Sequence, residues 1–196
     1  MVNVLKKHCR SMKKTVFFLM AVLLVYFEKG CVERTAEIQF RFAVREDVPL
    51  IFKFIRDLAA YENLLDKVVV TENILEDWLF VQQKAEVIFC ELAGKPIGFT
   101  LFFYNFSTFL GQSGIFLEDL YIEPAHRGCG YGKAIFAKLA EVAIERGCGR
   151  LDWWCLNWNQ PSIAFYESIG AKHLAEWRIY RLPKENFLAL LTKKNI

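Results

Sequence analysis

Proline and glycine are scarce in this chain, five and eleven of 196 residues, and no low-complexity tract or internal repeat breaks it. Collagen-like, fibrous and disordered classes need the opposite composition. Hydrophobic residues make up 54% and aromatic residues 15%, enough apolar side chain for the core of one domain. An excess of positive charge is also missing from the body of the chain. The net charge of +3 is local: residues 1 to 36 hold seven Lys/Arg against two acids, leaving 18 positive and 20 negative residues in 37 to 196. A body at net −2 lacks the clustered Lys/Arg that phosphates demand, so no nucleic-acid partner is expected. Its charge suits a cationic small molecule.

Metal-ligand spacing is lacking as well. The six cysteines, at 9, 31, 90, 129, 148 and 155, include no CxxC pair, and no second pair joins His126 and Cys129 to complete a tetrahedral zinc site. No metal is expected. A domain of this length folds without disulfide staples, so the cysteines read as reduced and mostly buried, which implies a cytoplasmic protein. The longest apolar run, residues 16–27 (VFFLMAVLLVYF), has twelve residues where a membrane-spanning helix needs about 20. Behind Lys6, Lys7, Arg10, Lys13 and Lys14 it has the shape of a signal peptide, yet Glu28-Lys29-Gly30-Cys31 offers no small-residue cleavage site. Residues 1–36 are therefore set apart as a basic, hydrophobic extension (export signal, anchor, packed appendage or mis-assigned start). Residues 37–196 are the domain, and membrane contact is expected only if the extension is an anchor.

Within the domain, residues 38–44 alternate as a strand, and Asp47 with Pro49 predicts a helix over 48–62. Thr71 predicts the cap of a second helix with Ile74, Leu75, Trp78 and Leu79 on its apolar face. Three extended stretches follow, 86–92, 96–106 after a Gly94-Lys95-Pro96 turn, and 114–122. The middle one is apolar on both faces, the pattern of a central strand. A helix over 132–146, a strand over 150–156, a short helix from Pro161 to Ile169 and extended segments to about 182 complete the order. The fold class is a single mixed α/β domain.

Between the strand ending at Ile122 and the next helix lies Arg127-Gly128-Cys129-Gly130-Tyr131-Gly132-Lys133. Alternate glycines let several N–H groups point inward at a helix N terminus, and Arg127 adds a forked donor, which together make a pyrophosphate cradle. A Walker loop does not fit the spacing. A dinucleotide fingerprint would need G-x-G-x-x-G directly after the strand; Asp152, twenty residues past Gly132, keeps that rival open as the ribose-binding acid. A glycine-rich turn that binds nothing is the bland alternative.

The neighbourhood of the turn separates these readings. Arg127 to Gly132 matches Arg/Gln-x-x-Gly-x-Gly/Ala, the strand before it reads Leu117-Glu118-Asp119-Leu120-Tyr121-Ile122, and Trp158 to Ala171 resembles N-x-x-[A/S]-x-x-[F/L]-Y-x-x-x-G. With Leu58-Ala59-Ala60-Tyr61-Glu62, these four ordered motifs resemble the GNAT superfamily of N-acetyltransferases, closest to its diamine, spermidine/spermine and thialysine group. The resemblance spans about residues 38 to 182 and implies the GNAT fold, a mixed, mostly antiparallel sheet flanked by helices. It implies acetyl-CoA as co-substrate and no metal. It also implies a homodimer and a small primary amine as acceptor. One departure bears on the acceptor: where polyamine acetylases carry an acid and a tryptophan, this chain reads Phe106-Ser107-Thr108-Phe109-Leu110-Gly111. A short diamine or thialysine is then as good an expectation as spermidine.

The resemblance also assigns residues. Leu120, Tyr121 and Ile122 would lie along the pantetheine arm, with a backbone N–H of the Leu120 region polarising the thioester carbonyl as oxyanion holes do. Arg127, Gly128, Cys129, Gly130, Tyr131, Gly132 and Lys133 would surround the pyrophosphate, and Asn159 and Ser162 belong to the second cofactor motif. Tyr166 is the expected general acid, since a phenol of pKa about 10 is protonated at pH 7 and can supply a thiolate of pKa about 8.5. Tyr61, Glu62 and Glu176 are the acceptor-site candidates. Glu118 is a carboxylate in an otherwise apolar strand, expected as general base or ammonium anchor, with strand alternation sending Asp119 to the opposite face. A structural salt bridge is its other reading. Three rival functions remain: acetylation of protein or peptide amines, an acyl-CoA-binding sensor without turnover, and a dinucleotide-binding oxidoreductase half.

Overall fold

The computed structural model describes residues 37–192, and the chain divides into two compact units between Trp154 and Cys155. The signal-like run 16–27, Cys9 and Cys31 lie outside the described residues. In the first unit β1 (Ile38–Phe42), β2 (Glu86–Leu92), β3 (Lys95–Ser107), β4 (Gln112–Ile122) and β5 (Leu151–Trp153) form one sheet in that order. Neighbours are antiparallel except β5, which runs parallel to β4. The strand with two apolar faces is the central one, β3, buried without interruption from Ile97 to Phe102.

Helices α1 (Val48–Tyr61) and α2 (Glu72–Glu76) cover the face that carries Phe89, Phe99, Leu101 and Tyr121. Phe54 of α1 is fully buried there, with ring centroids 5.6 Å from Phe99, 5.7 Å from Tyr121 and 6.2 Å from Phe89. On the opposite face α3 (Tyr131–Glu145) buries Ile135, Phe136, Leu139, Val142 and Ala143, the stripe its periodicity predicts. Phe136 meets Trp153 edge-on at 4.9 Å, which packs that half-buried tryptophan against α3.

Local chemistry explains where expectation and structure part. Asp47 precedes α1 but does not cap it; its carboxylate accepts from Arg41 at 2.6 and 2.9 Å and from the Val44 N–H. Arg41 also reaches Glu91, so a bidentate ion pair outcompetes the cap. Thr71 does cap α2, accepting from the Ile74 N–H. The predicted apolar face of four narrows to Leu75 and Leu79, because a π-helical turn at Asp77–Val81 breaks the 3.6-residue phase and leaves Ile74 and Trp78 exposed. The β2–β3 turn falls one residue early, at Ala93 (φ +49°) and Gly94 (φ +72°), a two-residue hairpin with both residues left-handed. Cys90 is a buried free thiol and Cys148 a half-buried one.

The second unit contains α4 (Gln160–Ser168) and α5 (Phe187–Thr192). Asn159, itself buried, caps α4 by accepting from the Ser162 N–H, and Pro161 fits its first turn. The strand expected over 150–156 ends at Trp153, and the extended segments expected to 182 form no strand among the described residues. Residues 172–191 are exposed throughout, so their alternating apolar residues have no sheet to join, and a strand exists only through the neighbour that pairs its backbone.

Candidate active site

The second half of β4 is where the sheet opens. Strand β5 pairs only with Ile115, Phe116 and Leu117, so from Glu118 to Ile122 β4 has β3 on one side and no paired strand on the other among the described residues. A strand with an unpaired edge presents backbone groups to an extended, amide-bearing chain. Leu120, Tyr121 and Ile122 lie on this stretch, where the sequence reading put the pantetheine arm.

At the same place β4 carries a bulge. Leu117 pairs with Phe102 and Asp119 with Leu101, so Glu118 is an extra residue without a partner in the ladder. The extra residue resets the alternation of side chains. Asp119 therefore shares the face of Leu101 and α1, and Glu118 is left exposed. This corrects the sequence reading, in which Glu118 was the buried carboxylate and Asp119 pointed away; regular alternation does not survive a bulge. Burial pushes the Asp119 carboxyl up to about 7, helped by the negative charges of Glu118 and Glu62. Glu62, the residue after α1, is itself pushed up by burial. Asp119 is a candidate that the sequence reading set aside in favour of Glu118, and an acid beside a second acid in an apolar strand was the available signal.

Tyr61 closes α1 and faces the glycine turn: the Arg127 guanidinium carbon lies 4.6 Å from the centre of its ring and 5.4 Å from that of Tyr121. The fold thereby brings Tyr61, Glu62, Asp119, Tyr121 and Arg127 into one neighbourhood. After Ile122 the chain makes a 3₁₀ turn at Pro124–His126, then Gly128 (φ +79°) and Gly130 (φ +86°) adopt left-handed backbone that other residues rarely hold. Space around both is open, since a Cβ at either would meet nothing within 4 Å. Gly130 is the N-cap of α3, and no side chain caps that 15-residue helix. A turn with two left-handed glycines on a helix N terminus without a side-chain cap, flanked by Arg127 and Lys133, fits the phosphates of acetyl-CoA. Cys129, Tyr131 and Gly132 lie in the same turn and first helical turn.

In the second unit Tyr166 is half-buried on α4, its ring centroid 5.4 Å from that of Phe165. Asn159 and Ser162 are the cap of that helix. Glu176 is exposed in the irregular segment after α4. Asp152, the acid a dinucleotide site would need, sits on β5 opposite Phe116, bonded to Arg150 at 2.7 Å and to Asn105 at 3.0 Å. From Phe116 to the strand end at Ile122 is six residues, roughly 20 Å. No ribose held at the glycine turn reaches it.

Comparison with known proteins agrees with this geometry. Residues 54–171 match the model of the acetyltransferase (GNAT) family. The chain is 34% identical over 172 residues to thialysine N-epsilon-acetyltransferase of Sus scrofa, covering 81% of this chain and 99% of that protein. It is 35% identical over 137 residues to the Caenorhabditis elegans enzyme of the same name, covering 67% and 83%. Human spermidine/spermine N(1)-acetyltransferase-like protein 1 is 33% identical over 161 residues, 76% of this chain and 23% of that longer protein. Among solved structures, an integron cassette protein from the mobile metagenome of V. cholerae superposes with a TM-score of 0.64 at 27% identity, over 80% of this chain and 98% of that one. Motifs, an opened β4, the uncapped glycine turn and these similarities converge: the chain belongs to the GNAT family of acetyltransferases.

Proposed function

We propose that the protein transfers the acetyl group of acetyl-CoA to a primary amine of a small thialysine-, diamine- or polyamine-like substrate, by direct attack and without an acyl-enzyme. The observation that carries this reading is Asp119, a half-buried carboxyl on the α1 face of the strand that leads into the glycine turn, pushed up to about 7 by desolvation and by Glu118 and Glu62. A cationic amine is drawn to three carboxylates by charge, and a base with a pKa near the working pH takes its proton efficiently. The relatives named above, two thialysine acetyltransferases and a spermidine/spermine-like protein, support the substrate class. The acid-free Phe106 to Gly111 stretch supports a short amine as well as a polyamine.

Bound acetyl-CoA supplies an activated acetyl thioester. Residues 120–122 would hold its arm and residues 127–133 its phosphates, and the family resemblance assigns Asn159 and Ser162 to cofactor binding as well. Asp119 accepts the proton of the amine, which becomes nucleophilic only when neutral. Glu118, exposed at the bulge, and Glu62 anchor the ammonium form; Tyr61 and Glu176 border the acceptor. A backbone N–H of the Leu120 region donates to the carbonyl oxygen as charge develops. The family resemblance assigns Tyr166 as the general acid that would supply the proton taken up by the departing sulfur. None of these roles asks for a metal.

Our reading extends to assembly and compartment. Residues 174–191 of the second unit expose Leu174, Trp177, Ile179, Tyr180 and Leu188, an apolar surface of the kind a second copy covers in a homodimer. The free thiols of Cys90 and Cys148 support a reducing, cytoplasmic setting.

The test is thiol release from acetyl-CoA with thialysine, putrescine, spermidine, lysine and a peptide amine, with Asp119→Asn and Tyr166→Phe in parallel. One small amine is expected to turn over, and each variant to lower kcat/KM by about 10²–10⁴, the usual span of general acid–base catalysis. Turnover of the peptide alone, or of no amine by a chain that binds acetyl-CoA, overturns the acceptor assignment.

A further inference from the structure

Arg127 belongs to the glycine turn, and Tyr61 to the far end of α1, 66 positions earlier in the chain. The structure stacks one on the other at 4.6 Å. Arg127 Nε donates to the Ile122 carbonyl oxygen at 2.8 Å, which tethers the side chain to the end of β4. Among the described residues no carboxylate lies within ion-pair distance of its guanidinium. The group is a cation held by one hydrogen bond and two aromatic faces.

A guanidinium uses its plane and its faces separately. Hydrogen bonds form at the in-plane N–H groups, aromatic contacts across the faces, and the two kinds of contact do not compete. Stacking on Tyr61 and bonding to Ile122 therefore leave in-plane donors for an anion seated in the glycine turn. That anion would fix the guanidinium, and the fixed guanidinium would fix Tyr61. The last turn of α1 carries Glu62 next to Tyr61, so order imposed on the ring is order imposed on the acceptor side of the site.

We propose that Arg127 is a positioning residue that couples the two halves of the site: an anion in the glycine turn orders the end of α1 through the Arg127–Tyr61 stack, so that filling the cofactor side prepares the acceptor side. The inference rests on the reading that the glycine turn holds the phosphates of acetyl-CoA. Coupling of this kind is reciprocal, so the acceptor tightens the cofactor by the same factor. A cation–aromatic stack at an exposed site corresponds to a two- to fivefold change in an equilibrium.

The end of α1 has its own reporters, because the amides of Glu62, Asn63 and Leu64 bond to the carbonyls of Leu58, Ala60 and Ala59. Hydrogen exchange at these amides in the full-length protein, with and without saturating coenzyme A, reads the coupling without any acceptor. Coenzyme A is expected to slow their exchange two- to fivefold in the wild type and in Tyr61→Phe, which keeps the ring. The slowing is expected to vanish in Tyr61→Leu and in Arg127→Lys, which keeps the charge but not the plane. A merely structural contact would alter exchange equally with and without coenzyme A. Undiminished slowing in Arg127→Lys, or none in a wild type that calorimetry shows to be saturated, overturns the proposal and leaves the enzyme reading intact. Absence of calorimetric binding to the wild type overturns both. Should Tyr61→Leu fail to fold, Arg127→Lys, at an exposed position, decides the matter alone.

Discussion

Replacing Asp119 by Asn turns the placement of that carboxyl into a stability measurement. Folding raises its pKa from 3.8 to about 7, chiefly through burial and secondarily through Glu118 and Glu62. Below pH 3.8 the group is protonated in both states and contributes nothing to the difference. As pH rises toward 7 the unfolded chain releases the proton while the folded one retains it, so stability falls; above 7 the full penalty stays. At 1.36 kcal/mol per pH unit, the interval amounts to about 4 kcal/mol. Asn has nearly the same shape and no charge to bury. Urea unfolding of both proteins at steps from pH 4 to pH 8 is expected to give nearly equal stabilities at pH 4 and a gap growing to about 4 kcal/mol in favour of Asp119→Asn at pH 8. Comparing the two proteins cancels the carboxylates not coupled to residue 119, including Asp47, whose pKa the Arg41 pair lowers and whose stabilisation therefore changes in the opposite sense. Parallel curves for the two proteins would refute the burial argument. A variant that is more stable at pH 8 yet inactive would show that the enzyme keeps an unfavourably buried acid for its chemistry.

Two further outcomes test the frame around the site. Phe54→Ala empties the contact between α1 and the sheet at a fully buried ring and is expected to cost about 3–5 kcal/mol in chemical unfolding; a loss under 1 kcal/mol would mean that α1 is not seated as described. Ala93→Gly relieves a left-handed alanine in the β2–β3 hairpin and is expected to gain about 1 kcal/mol; a thermal midpoint that falls instead would refute the turn assignment.

Much of this arrangement follows from local pattern. The stripe of Ile135 to Ala143, the doubly apolar β3 and the Thr71 cap need only neighbours three or four positions away, or two, and the sequence read alone places them. The GNAT motifs at Arg127 to Gly132 and Trp158 to Ala171 are local too, because a phosphate cradle is built from consecutive backbone N–H groups. What depended on distant strands was not legible. The bulge at Glu118 exists only as a mismatch between β3 and β4, and it leaves Glu118 exposed and Asp119 half-buried beside Leu101. Nothing in 171–182 says whether a strand finds a partner, and Asp152 looked like a ribose acid until β5 placed it roughly 20 Å from the turn. The amino-acid sequence by itself determined the family, the main elements up to α4 and the glycine turn, since each is encoded in short-range periodicity and backbone permissiveness. Only the tertiary structure decided that Asp119 rather than Glu118 carries the perturbed carboxyl, and that Tyr61 lies under Arg127. Both are facts of register and of chain segments meeting from afar.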